Sequence, residues 1–233
     1  MSNNENITID ENSKNIQNMF DKIADKYDFL NGILSFAMDE KWRKKAIQCA
    51  DIQDNHKVLD LACGTGNMII EIKKQHPLCH IFGSDFSINM LHHCREKIPS
   101  CPLSAADVHN LPYKDNYFDR LTIAFGFRNV TDKLKGLSEF LRVIKPGGKV
   151  CILELTKPEN AFTDFVYKIY FMYILPVIGG IFSSKKAYKY LPESVYHFPK
   201  RKEYMQLIED AGFKNVTFKS LVFGAVTIAI MEK

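Results

Sequence analysis

VLDLACGTGN, residues 58–67, starts as an apolar strand, breaks at a turn carrying Gly64 and Gly66, and passes into a helical pattern at Asn67. The glycines permit a tight turn and let a ligand touch the backbone, while the helix start offers unpaired amide N–H groups. A dinucleotide fingerprint would place a third glycine where Ile69 stands, so packing against a pyrophosphate is disfavoured. A ligand with an amino-acid end fits better, held by backbone amides and carbonyls with Asp60 near its ammonium. Taken alone, the turn serves equally well as a plain strand-to-helix connection.

The alternation extends outward from this point. KVLDLA (57–62) is followed by strand-type runs HIFGSD (80–85), PLSAAD (102–107), FDRLTIAF (118–125) and KVCILEL (149–155). Helical patterns lie between them at 67–75, 87–97 and 131–144, the second capped by Ser87 and the third by Thr131. KPGG (145–148) reads as a turn before the next strand. This order predicts an α/β fold, a mostly parallel sheet with helices on both faces. VTFKSL (216–221) and AVTIAIMEK (225–233) have no helix between them and predict a terminal antiparallel pair. Upstream, Met19, Phe20, Ile23, Ala24 and Tyr27 recur at helical spacing, so 19–50 reads as an N-terminal helical cap. Residues 1–18 read as a disordered N-terminus. Residues 156–199, rich in Phe, Tyr and Pro, read as an inserted aromatic cap within one domain spanning 19–233.

Composition removes several classes of function. Of 233 residues, 46% are hydrophobic and 25% charged, ample for one sizeable core. The 31 basic and 27 acidic residues leave a net charge of +4 and are interspersed, so no nucleic-acid footprint is expected. Six cysteines without a C-x-x-C pattern predict reduced core thiols in a cytosolic, cytoplasmic protein. The polar start has no basic region followed by an apolar run, so no signal peptide is expected. IYFMYILPVIGGIF (169–182) has 14 apolar residues around Pro176, short of the about 20 that span a bilayer. It predicts a buried or interfacial helix pair. His92, His93 and Cys94 read as a solvated helix face, and no metal is expected.

In an open parallel sheet, ligands bind beyond the carboxyl ends of the strands, and those ends here carry polar side chains. The second run ends in Asp85, 19 residues past Gly66, the spacing at which a carboxylate accepts from both ribose hydroxyls. With the glycine turn it points to adenosine, and its loss is expected to cost about 1.5–3 kcal/mol. The third run ends in Asp107 and Val108, an acceptor for an adenine amino group beside an apolar contact for its ring. The fourth ends LTIAFGFRNV (121–130), where Arg128 follows Phe125 and Phe127 at the sheet mouth. That position predicts an arginine facing the cleft rather than one paired with an acid such as Asp132.

YDFLNGILSFAMDEKWR (27–43), VLDLACGTGN (58–67), FGFRNVTDK (125–133), RVIKPGGKVCILELTKP (142–158) and YKYLPESVYHFP (188–199) resemble the ubiquinone/menaquinone biosynthesis C-methyltransferases. The resemblance implies the class I S-adenosylmethionine-dependent methyltransferase fold, with seven strands and an antiparallel terminal strand. It implies that Asp85, Asp107 and Val108 contact S-adenosyl-L-methionine; Asp60, Gly64 and Gly66, from the turn read above, and Ala124, where the family commonly has a serine, complete the candidate cofactor set. It also implies a quinol facing Arg128 and Asn129, with Phe127, Tyr190 and His197 about it. The reaction would be methylation of a ring carbon of a prenylated hydroquinone, demethylmenaquinol first and 2-methoxy-6-polyprenyl-1,4-benzoquinol as the alternative. Arg128 would favour the ionised ring hydroxyl, since an adjacent cation lowers such a pKa by about 1–3 units. The prenyl tail would bring peripheral contact with the inner membrane face through exposed aromatics and Lys185, Lys186 and Lys189. The sequence leaves a homodimer open. Two other readings are a nicotinamide dehydrogenase, disfavoured at Ile69, and a non-catalytic S-adenosylmethionine-binding partner, disfavoured by Arg128 and Asn129.

Overall fold

A computed structural model describes residues 11–174 and 185–233. Helices α1 (Glu11–Ile23), α2 (Tyr27–Leu34) and α3 (Asp39–Cys49) come first, with a 3-10 turn at Ala24–Lys26 joining the first two. Strands and helices then alternate as β1 (Lys57–Leu61), α4 (Asn67–Gln75), β2 (His80–Asp85), α5 (Ile88–Lys97), β3 (Leu103–Ala105) and β4 (Phe118–Ala124). A 3-10 turn at Phe127–Asn129 leads into α6 (Lys133–Val143) and β5 (Ile144–Leu155). Next come α7 (Ala161–Ile169), a π turn at Tyr170–Ile174, α8 (Lys185–Tyr196), α9 (Arg201–Asp210), β6 (Lys214–Leu221) and β7 (Val226–Glu232).

The seven strands form one sheet in the order β3-β2-β1-β4-β5-β7-β6. The ladders from β3 across to β5 are parallel, and β7 is antiparallel to both β5 and β6. The late runs therefore pair as their sequence implies, with the last strand slotted between β5 and β6. Alternate side chains of β1 serve opposite faces. Leu59 and Leu61 join Leu137 and Phe140 of α6 and Ile208 of α9 in one core. Val58 packs on the other face with Ile47 of α3, Ile69 and Ile72 of α4, and Cys94 of α5. Phe140 is wholly buried, and a Phe→Ala change at such a site costs about 3–5 kcal/mol.

Helix starts follow their capping residues. The Ser87 hydroxyl accepts from the Met90 amide at 3.1 Å and fixes the start of α5. For α6 the cap is Asp132, which accepts from the Lys135 amide at 2.9 Å, and not the expected Thr131. A carboxylate is the better partner for a helix N-terminus, which favours negative charge. KPGG lies within β5, where the register with β4 shifts between Phe118↔Ile144 and Arg120↔Lys149, so the turn bulges from the ladder instead of preceding it.

At the N-terminus the expected disorder to residue 18 is corrected: α1 begins at Glu11 and its Ile16 is buried. The helix pair read into 169–182 falls largely outside the described residues. Among the described residues no helix is long and apolar enough to cross a membrane.

Candidate active site

The ends of β1 and β4 meet at two unusual backbone positions. Ala62 and Phe125, the first residues past the two strands' inner ends, both have positive φ, at 47° and 58°. Left-handed backbone at a residue other than glycine is costly and clusters at functional sites. Gly126 allows the approach: a Cβ there would lie 2.5 Å from the Ala62 Cβ.

Asp85 ties the glycine turn to α5. Its Oδ2 accepts from the Gly64 amide at 2.8 Å and its Oδ1 from the Ser87 amide at 2.9 Å. Burial pushes its carboxyl up to about 6, against the pull of those amides. Asp60 lies deeper. Its Oδ1 accepts from the Thr122 hydroxyl at 2.6 Å across the β1–β4 ladder, while Oδ2 is buried without a partner. Burial pushes this carboxyl up to about 7. A buried orphan acceptor beside a glycine turn fits an ammonium group, so these residues suit a ligand that joins an amino-acid end to a ribose.

Two cavities open at this end of the sheet. The smaller, about 60 Å³, is walled by Asp85, Asp107, Val108, His109, Gly126 and Asn129, with Ile16 of α1 across it. Small-molecule pockets begin at about 300 Å³, so with α1 in place this space is too small for a nucleoside. Three acids, Asp21 of α1, Asp25 of the 3-10 turn and Asp28 of α2, tie the segment down. Asp21 bonds Ser87, Asp25 bonds His93, and Asp28 accepts from Thr65, Asn67 and Lys97. Burial pulls the Asp28 carboxyl upward, but those donors outweigh it and hold it below its ordinary range. The spacing of 21, 25 and 28, four and three residues apart, is the sequence signal for this contact.

The larger cavity, about 840 Å³, runs among α1–α3, α7, α8 and the turn after β6. Its polar wall holds Asn31, Ser35, Asp39, Arg43, Arg128 and Tyr190. Its apolar wall includes Leu30, Trp42, Phe125, Tyr167 and Phe171. Arg43, paired with Asp39, sits with its guanidinium carbon 5.5 Å from the centre of the Phe125 ring. Asp39, Trp42 and Arg43 carried no role in the sequence reading. Only the fold of α3 against the β4 end brings them here.

Arg128 stands in that wall, but paired. Its Nη1 donates to Glu154 Oε1 at 2.7 Å and to the Phe125 carbonyl, and its amide donates to Glu154 Oε2 at 2.9 Å. The expected unpaired arginine is corrected: the acid comes from β5, because the register Ala124↔Leu153 puts Glu154 beside the turn after β4. The Nε of Arg128 is buried and has no partner. Burial would lower the guanidinium's pKa, yet Glu154 outweighs it and the net shift is upward.

The remaining candidates divide. Tyr190 lines the large cavity and its hydroxyl donates to Asn129 Oδ1 at 2.8 Å, bridging α8 to the Arg128 turn. Phe127 is corrected: its 3-10 turn points the ring inward, 0% exposed, stacked at 5.9 Å on Tyr204. It is core. His197 is corrected too: it is exposed, borders neither cavity, and its Nδ1 lies 2.7 Å from the Glu193 carbonyl one turn back. Ala124, Gly64, Gly66 and Asp60 border neither cavity, although the last three surround the turn that Asp85 holds. Cys94, read as part of a solvated face, is wholly buried on α5.

This arrangement has known counterparts. The ubiE/COQ5 methyltransferase family profile matches residues 8–233. The ubiquinone/menaquinone biosynthesis C-methyltransferase UbiE of Geobacter sulfurreducens is 43% identical over 230 residues, covering 96% of this chain and 90% of that protein. The demethylmenaquinone methyltransferase of Thermus thermophilus is 40% identical over 220 residues, covering 92% of this chain and 100% of that protein. Among solved structures, a SAM-dependent methyltransferase of Thermotoga maritima matches with a TM-score of 0.65 at 19% identity, over 93% of this chain and 99% of that one. The strand order is thus that of the S-adenosylmethionine-dependent methyltransferases, and the chain belongs to the ubiE/COQ5 methyltransferase family.

Proposed function

We propose that the chain methylates a ring carbon of a prenylated hydroquinone, demethylmenaquinol, with S-adenosylmethionine as donor. The observation that carries this reading is the 840 Å³ apolar cavity with a buried guanidinium in its wall. It has room for a ring and an isoprenoid tail. When bound, S-adenosylmethionine supplies an electrophilic methyl group on a sulfonium. Asp85, Asp107 and Val108 would hold its adenosine end, and Asp60 its ammonium.

The chain's own task is to make the ring carbon nucleophilic. A phenol titrates near 10, so ionising it at pH 7 costs roughly 4 kcal/mol. The Nε–H of Arg128 is an unsatisfied buried donor, and an ionised ring oxygen would satisfy it. Glu154 neutralises part of the guanidinium charge, so the stabilisation comes from a directed charge-assisted hydrogen bond more than from a free cation. Arginine stays protonated and accepts no proton, so the hydroxyl proton leaves to water at the Arg128–Asn129–Tyr190 cluster. Once the methyl group is on the ring carbon, the C–H proton there is lost to solvent and the ring oxygen is reprotonated. The apolar wall excludes bulk water, which strengthens that bond.

Helices α1–α3 and the described residues of the 156–199 segment act as the two caps of this cavity, contributing Tyr27, Trp42, Tyr167 and Tyr190 to its walls. At its rim Phe162 is 74% exposed and Phe223 is 85% exposed, with Phe36, Val166 and Val222 beside them. A rim of this kind supports docking on a bilayer, from which the tail is drawn.

The test supplies S-adenosylmethionine with labelled methyl and, under reducing conditions, either a short-tailed demethylmenaquinol or a methoxy-benzoquinol. Label is expected in the naphthoquinol ring. Preferential labelling of the benzoquinol would move the chain to ubiquinone synthesis, and donor binding without transfer to either would make it a non-catalytic partner.

A further inference from the structure

We propose that His109 is a positioning residue that fastens the carboxylate of Asp107 to the loop carrying Arg128 and Asn129, so that donor binding and the methyl-transfer site are set together. The inference rests on reading the small cavity as the adenine subsite. His109, Asp107, Val108, Asn129 and Val130 all wall it.

Two donors from one residue converge on a single oxygen. The His109 ring Nδ1 lies 2.6 Å from Asp107 Oδ1, and the His109 amide donates to the same oxygen at 2.9 Å. That leaves Oδ2 to accept from an adenine amino group. On the far side of the ring, the Asp132 amide donates to Nε2 at 3.3 Å. An amide N–H can only donate, so Nε2 is the unprotonated nitrogen and Nδ1 carries the hydrogen that Asp107 accepts. The imidazole is therefore a strut, with one end on the adenine-facing acid and the other on the N-cap of α6, three residues past Asn129.

A second proton could enter only at Nε2, turning that acceptor into a donor opposed to the Asp132 amide. Acid thus releases the loop while Asp107 stays held, now as an ion pair. The charged groups that face the ring are Asp107 on its own turn, Asp132 at the N-cap of α6 and Lys135 within that helix. The bond to Asp107 raises the ring's pKa above its usual 6.5, against burial and Lys135. Release accordingly sets in at a higher pH than for a free imidazole.

The experiment measures the dissociation constant of S-adenosylhomocysteine by calorimetry from pH 5.5 to 8 for the wild type, His109→Ala and His109→Gln. A glutamine can donate to Asp107 and accept from Asp132 but cannot titrate. At pH 8, His109→Ala is expected to weaken binding about tenfold, the worth of about one hydrogen bond to a charged group, and His109→Gln to stay within about twofold of wild type. Between pH 8 and 6 the wild type should weaken about fivefold more than His109→Gln, a comparison in which any acid loss from Asp60 or Asp85 cancels. Parallel pH curves for wild type and His109→Gln, or equal losses in the two variants at pH 8, would overturn the inference. A wild type that does not bind S-adenosylhomocysteine would instead overturn the adenine reading beneath it.

Discussion

Arg128 and Glu154 form a buried ion pair at the mouth of β4, with Nη1 and Oε1 2.7 Å apart and side chains only 7% and 1% exposed. Removing one member strands the other's charge, which costs about 3–5 kcal/mol. Arg128→Ala is therefore expected to lower stability in chemical denaturation by that order, and to bind S-adenosylhomocysteine normally while losing turnover. Lost stability alone could account for lost turnover, so the double variant Arg128→Met with Glu154→Gln decides the matter. It removes both charges and leaves an amide oxygen to accept from the residue 128 backbone. Stability should return and turnover should not. If turnover returns as well, the pair is structural and the catalytic role falls.

Asp60 ties stability against binding. Its carboxyl is pushed up to about 7 by burial, from an ordinary value of 3.8. An unfolded chain gives up that proton near 3.8 while the folded chain holds it to about 7, so the group's contribution is intact at low pH and is lost as pH rises through that window. Asp85, pushed up to about 6, adds a loss of the same sign. Asp60→Asn removes the titration and still accepts from Thr122. At pH 8 the variant is expected to be more stable by on the order of 2 kcal/mol, with the gain absent at pH 4. Its affinity for S-adenosylhomocysteine should fall, because no carboxylate remains for the ammonium. Thermal melts at the two pH values, paired with calorimetry, check both halves.

Ile16 lies across the small cavity from Asp85, Asp107 and Val108, the residues proposed to hold adenosine. The cavity beneath it is about 60 Å³, and α1 is held at Ser87 through Asp21, while Asp25 and Asp28 tie the following 3-10 turn and α2 to α5 and α4. Donor binding is thus expected to shift α1 and redistribute those bonds. Hydrogen exchange should report altered protection of amides 14–23 on addition of S-adenosylhomocysteine. Asp21→Ala, which frees the segment from Ser87, should speed donor association severalfold at similar stability. Unchanged exchange in α1 on binding would mean that the donor enters by another route.

Some of this architecture could be read along the chain and some could not. The βαβ order, the Ser87 cap and the acid at the end of β2 are local patterns, set by periodicity and by residues a few positions apart, and the folded chain keeps them. Arg128 shows the limit. Its partner lies 26 residues away on the next strand, and only the parallel register between β4 and β5 makes them neighbours. Phe125 and Phe127 are two apart in sequence, which in a strand would aim both the same way. The positive φ at Phe125 and the 3-10 turn after it send one ring to the cavity and the other to the core. Asp39 and Arg43 sat in a helical pattern whose buried face could not be assigned until α3 was placed against β5.

The turn between β6 and β7 carries a last prediction. Val222 and Phe223 both have positive φ, at 47° and 54°, a conformation that β-branched and bulky residues rarely adopt. Such strain costs on the order of 1–3 kcal/mol per residue. What it achieves is a phenylalanine held 85% exposed at the rim of the large cavity, beside Phe162. Among the described residues nothing covers that side chain, and the proposed docking on a lipid surface would give it an apolar partner. Phe223→Asn suits the left-handed backbone better and is expected to stabilise the fold by about 0.5–1 kcal/mol. The same change should reduce co-flotation with liposomes and lower turnover on a full-tailed quinol more than on a short-tailed one. Equal loss on both substrates, with flotation unchanged, would mean that Phe223 serves the cavity and not a membrane.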